Sequence, residues 1–159
     1  MWVLLASAAM GAPTEVGTPR PFGIGIQLGT FSGLTGKYYL RGRRNALDFA
    51  VGTAYGNTFA NSLHAHVTYH EHISTLTEGA GVSIPWRIGV GGWLNAGSNW
   101  VFPQYRNQGL IIGARVPVGL DFDLEDVPVQ FYAELAFNLA ILPGIAAGLD
   151  GSVGVRYYF

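Results

Sequence analysis

The stretch from Gly148 to Phe159 constrains this chain most, because it alternates strictly. Leu149, Val153, Val155, Tyr157 and Phe159 share one parity; Asp150, Ser152, Gly154, Arg156 and Tyr158 share the other. Successive side chains of a β-strand point to opposite faces, so this segment has one greasy face and one polar or small face. It ends on an aromatic residue, as expected of a strand that closes a barrel inside a membrane.

The same alternation recurs along the chain. It predicts strands at Phe22–Gly29, Gly33–Arg41, Ala46–Tyr55, Ser62–His70, Ile84–Leu94, Gly109–Asp123 and Pro128–Leu139, with the final stretch as the eighth. Strands of roughly 8–12 residues suit a tilted membrane crossing. Eight is the smallest even strand number of transmembrane barrels. Pro117 falls inside the sixth strand and cannot donate to a ladder, so a bulge is expected there. The connection from Glu71 to Ser83 is long for a turn unless the flanking strands extend into it.

Composition decides between helices and strands. The chain is 49% hydrophobic and 12% charged, against roughly 25% charged in ordinary domains. Beyond the N-terminus no apolar run approaches the ~18 residues of a spanning helix. Only helices and closed barrels satisfy the backbone in lipid, so dispersed apolar residues point to a barrel. A net charge of -1 without a basic stripe argues against nucleic-acid binding. Cysteine is absent, which removes disulfide and thiol chemistry. Met1 to Ala12 reads as the later part of a secretory signal, and Thr14 to Pro21 as a linker. Residues 1–21 are thus expected to be signal and linker, and 22–159 the barrel domain.

Which face points inward follows from volume. One parity carries Ile, Leu, Val and Phe; the other is rich in Gly and Ala with a few charges. The interior of an eight-stranded barrel is just wide enough for side chains. Large aliphatics from every strand would overfill it, whereas Gly, Ala and occasional long polar residues fit. The expectation is an all-β, eight-stranded antiparallel up-and-down transmembrane barrel with its apolar face outward. With both termini periplasmic, Phe22, Tyr38, Tyr69, Trp86, Phe122, Phe131, Tyr157 and Phe159 fall outward near the periplasmic ends. Tyr55 and Phe137 fall outward near the opposite ends, giving two interfacial girdles.

Three segments, Gly33 to Tyr39 (GLTGKYY), Arg115 to Leu120 (RVPVGL) and Gly154 to Phe159 (GVRYYF), resemble a family of bacterial outer-membrane β-barrel proteins of uncharacterised function. In architecture, residues 22–159 are similar to the OmpA transmembrane domain and OmpX. The resemblance implies a bacterial outer-membrane location and no settled activity. It also implies that the last strand is the signal read by the barrel-assembly machinery, with Val155, Tyr157 and Phe159 at the matching positions.

The lumen parity carries Lys37, Arg87, Arg115 and Arg156 with Asp48, Glu134 and Asp150. An unpaired charge in so narrow a space is costly, so a salt-bridged plug is expected, with a gated low-conductance pore as the alternative. His64, His66, His70 and His72 share one face at even spacing. His64, His66 and His70 are candidates for a shared metal, and His70 and His72 fall near the periplasmic rim, where a weak surface site is expected; otherwise the imidazoles fill lumen and turn positions and hydrogen-bond locally. No arrangement of nucleophile, base and orienting group stands out, so a lipid A-modifying enzyme is the lesser reading. The third outer loop holds Trp100, Phe102 and Tyr105 among amides and is the candidate contact surface, or else leans on the barrel rim. No cofactor is implied; the expected partners are outer-membrane lipids and, during biogenesis, the assembly machinery.

Overall fold

The computed structural model describes residues 20–40, 44–54, 62–79, 81–97, 102–105 and 109–159. Residues 1–19 of the expected signal and linker, Tyr55 and Trp100 lie outside the described residues. The strands are β1 (Phe22–Gly29), β2 (Phe31–Tyr39), β3 (Asn45–Ala54), β4 (Ser62–Gly79), β5 (Val82–Gly97), β6 (Leu110–Leu124), β7 (Val129–Leu142) and β8 (Ala146–Tyr158). A 3-10 turn at Pro103–Tyr105 precedes β6. Each strand pairs antiparallel with its chain neighbours, and β8 pairs with β1 to close the barrel. Closure gives every strand a partner on both sides. Phe159 donates its N–H to the Phe22 carbonyl at 2.9 Å, so Phe22 and Phe159 lie at one end of the barrel, the terminus end.

The barrel is inside out relative to a water-soluble one. Ile26, Leu135 and Leu149 stand on the outer wall, 52%, 70% and 72% exposed. Lys37 and Arg87 point into the lumen and are wholly buried. The period-two pattern produces this directly: every lumen charge shares the parity of the small residues on its strand.

Several boundaries differ from the sequence expectation. β4 continues past His70 to Gly79 and β5 begins at Val82, so most of the expected 71–83 connection is strand. The β4–β5 ladder shifts register between His72 and Ser74 and again between Thr75 and Thr77. Each bulge adds a residue to β4 and flips its parity, which breaks the alternation that marks a strand. β2 begins at Phe31, two residues early, and Thr30 alone links it to β1. The tight reversal rests on Gly29, whose φ of +150° few side chains adopt.

No bulge accommodates Pro117. It pairs in register with Ala136, while the ladder to β5 passes from Ile88↔Val118 to Gly91↔Arg115 and skips it. A missing N–H therefore costs no ladder bond on the β5 side. The register shift of β6 lies elsewhere, between Ile112 and Gly113.

Close strand contact fixes another glycine. A Cβ at Gly25 would overlap the backbone carbonyl of Val155 on β8. Because the obstacle is backbone, relief requires moving a strand at the closing seam. Gly25→Ala is expected to cost about 1–3 kcal/mol, the usual range for overpacking. A lowered denaturant midpoint checks this; an unchanged midpoint contradicts it.

Candidate functional site

The lumen collects polar side chains from all eight strands, and they form a connected network. Lys37 Nζ lies 2.5 Å from Asp121 Oδ2. Arg87 bridges two carboxylates, with Nε 2.9 Å from Asp121 Oδ1 and Nη1 2.5 Å from Glu134 Oε2. Arg115 Nη2 binds the other Glu134 oxygen at 2.6 Å and lies 3.8 Å from Asp150. Arg156 Nη2 donates to Asp48 Oδ2 and to Thr35 Oγ1, both at 2.7 Å. Its guanidinium also stacks 3.9 Å from the centre of the Tyr132 ring, a cation–π contact.

The pairing partners are not the cross-strand neighbours. Lys37 and Asp48 face each other directly in the β2–β3 register. Yet Lys37 reaches across the lumen to Asp121, and Asp48 takes Arg156. Asp121 and Asp123 were absent from the expected network, although both share the parity of Arg115. That parity was the signal available for them. Asp123 accepts from Gln130 at 2.7 Å, and Gln130 joins it to Tyr39 and Tyr158. Asp150 accepts from Asn138 at 2.6 Å. Buried charges are tolerable because each cation meets a carboxylate in a medium too poor in water to solvate it alone.

The four histidines are all buried, so His70 and His72 do not form the expected rim site. His64 Nε2 and His66 Nδ1 lie 3.2 Å apart. His70 is directed elsewhere, 3.7 Å from Asp48 and 3.8 Å from Glu134, so the candidate metal trio does not converge. Asp48, His70 and Glu134 do offer ligand atoms within 4.8 Å of one another. Arg87, Arg115 and Arg156 already occupy those carboxylates. A cation would have to displace guanidinium groups, so the residues present fit a metal poorly.

Aromatic rings close the far end. Phe31 stacks on His64 with centroids 3.5 Å apart, His64 lies 6.1 Å from Trp93, and Trp93 stacks on Phe102 at 5.3 Å. Ile111 and Ala140 complete this cluster. Phe102 is 1% exposed. It is therefore a stopper over the lumen and not part of a contact surface, because stacking on Trp93 removes its ring from water. Tyr105 is half-buried beside it.

On the outer wall, Phe22, Tyr38, Tyr69, Phe131, Tyr157 and Phe159 are exposed toward the terminus end, and Phe137 in the far half. Trp86 and Phe122 are outward and half-buried; the Trp86 indole donates to Ser74 at 2.9 Å. Val155 lies outward between β7 and β1. The Arg44–Glu71 pair, at 2.6 Å, sits on the exterior.

No protein-family model matches this chain, and no curated protein or solved structure matches it. The class is defined by geometry alone: a closed, eight-stranded antiparallel β-barrel with a buried, ion-paired interior. That architecture is compatible with the OmpA transmembrane domain and OmpX.

Proposed function

We propose that the protein is an integral barrel of the bacterial outer membrane, with a closed polar lumen and a non-catalytic structural or interaction role in the envelope. One observation carries this reading: the outer wall is a continuous surface of exposed Ile, Leu, Val and Phe around the whole barrel. Soluble monomers rarely expose apolar patches above a few hundred Å². Lipid is the solvent in which such a wall is stable and a buried ionic lumen is retained. Outward aromatics grouped toward the terminus end support an interfacial girdle, with both termini periplasmic. The partners in this reading are outer-membrane lipids and the assembly machinery, which would read Val155, Tyr157 and Phe159.

Fractionation with a heat-shift gel tests it. The protein is expected in the outer-membrane fraction and to migrate differently before and after boiling. Recovery in the soluble fraction would contradict the proposal. The low-conductance pore is disfavoured by the ion-paired lumen and its aromatic stopper. Planar bilayers are expected to show no discrete channel events. Lipid A mass profiles are expected to be identical with and without the protein; a changed profile would favour an enzyme.

A further inference from the structure

We propose that the lumen conducts protons along β4 while excluding larger ions; this rests on the membrane reading above. Five successive inward positions of β4 carry His64, His66, Thr68, His70 and His72, and all are buried. Same-face neighbours on a strand lie roughly 7 Å apart. The row is therefore a column of proton-exchanging groups from the aromatic stopper to the terminus end. Charge balance does not require it, since Lys37, Arg87, Arg115 and Arg156 each already meet a carboxylate.

One hydrogen bond joins two members of the column, and the others have polar neighbours. His64 Nε2 and His66 Nδ1 share a hydrogen bond at 3.2 Å. Thr68 pairs directly with Asp48 in the β3–β4 register. Thr68 Oγ1, Asp48 Oδ1 and His64 Nδ1 are buried without a hydrogen-bond partner among the described residues. Each is a buried polar atom able to take one more hydrogen bond, directly or through water. His70 lies between Asp48 and Glu134, with Arg87 Nη1 3.0 Å from its Nε2. His72 Nδ1 is 2.9 Å from the Arg44 carbonyl, which can only accept, so that nitrogen carries the hydrogen. Its Nε2 is 3.1 Å from both Asp121 Oδ2 and Lys37 Nζ.

The chemistry needs no co-reactant. At His64, His66 and His70 a neutral imidazole accepts a proton on one nitrogen, forming an N–H bond, and releases one from the other, breaking an N–H bond; at His72, whose Nδ1–H stays on the Arg44 carbonyl, Nε2 both takes up and gives up the proton, with Asp121 Oδ2 beside it. The Thr68 hydroxyl exchanges an O–H in the same way. One proton enters at one end and one leaves at the other, driven by the pH difference. Potassium or chloride would need open cross-section, which the stopper and the paired side chains fill.

The test uses the folded chain in phosphatidylcholine vesicles holding a trapped pH-sensitive dye. Potassium and valinomycin clamp the potential, and acid is added outside. Internal acidification is expected to be faster than in empty vesicles, with no potassium flux before ionophore and no chloride flux. Thr68→Val removes the hydroxyl at nearly constant shape and is expected to return the rate to that of empty vesicles. Thr68→Ser is expected to keep the wild-type rate. His66→Leu interrupts the column one position away and is expected to give the same loss, so the idea stays testable if one variant misfolds. Inserted, heat-shifting protein with the rate of empty vesicles would overturn the relay. So would a Thr68→Val variant at the wild-type rate, or acidification accompanied by potassium or chloride flux. A chain that does not insert would instead contradict the membrane reading on which the relay rests.

Discussion

Asp121→Leu is expected to destabilise the barrel by about 3–5 kcal/mol, the usual cost of removing one partner from a buried charge cluster. Asp121 accepts from Lys37 and Arg87 and contacts His72, and none of these groups reaches solvent. Its loss strands the Lys37 ammonium without a carboxylate partner. Lys37→Met combined with Asp121→Leu is expected to recover part of the loss, because Arg87 retains Glu134. The contrast is Arg44→Ala, which breaks a pair roughly 43% and 42% exposed. Exposed pairs are worth about 0–1 kcal/mol, so the change there should be small. Equilibrium unfolding in denaturant from detergent or lipid checks all three. Equal effects at Asp121 and Arg44 would contradict the picture of a buried, ion-paired lumen.

Leu135→Arg is expected to destabilise the lipid-inserted barrel by about 2–4 kcal/mol, the cost of a basic side chain near the bilayer midplane. Leu135 lies near the middle of β7, points outward and is 70% exposed. For a wall facing water, the same surface change would fall within about 0.5 kcal/mol. Tyr157→Arg, near the terminus end, is expected to cost only about 0–1 kcal/mol in lipid, because the penalty falls toward the interface. The depth dependence is the signature. Equal, near-zero effects at both positions would place the wall in water.

The wall and the lumen are legible in the sequence for one physical reason. Strand side chains alternate, so in β1 and β8 the letters alone separate Ile24, Ile26 and Val153 from Gln27, Asp150 and Arg156. Parity names what enters the lumen but not what it touches there. Lys37 and Asp121 are 84 residues apart and on opposite sides of the barrel, and their meeting depends on the register of every strand between them. Asp121 has the lumen parity in the letters, but its place at the centre of the network does not follow from them. The β4 extension is hidden for another, since two bulges reverse the alternation within four residues. Phe102 is hidden because a loop residue has no parity, and its burial depends on Trp93 being beneath it. The histidine row is visible as spacing, yet only the structure separates the His64–His66 contact from His70 between its carboxylates.

The central claim is that the apolar wall meets lipid and the charged face does not. The chain has no cysteine, so single cysteines at Val67, Val118 and Val153 can each carry a nitroxide spin label without competing thiols. All three positions are exposed on the outer wall. In vesicles, each label is expected to collide freely with molecular oxygen, which concentrates in lipid, and hardly at all with a water-soluble nickel chelate. Labels that the nickel chelate relaxes as readily as it does a free nitroxide in buffer would show the wall in water and contradict the account.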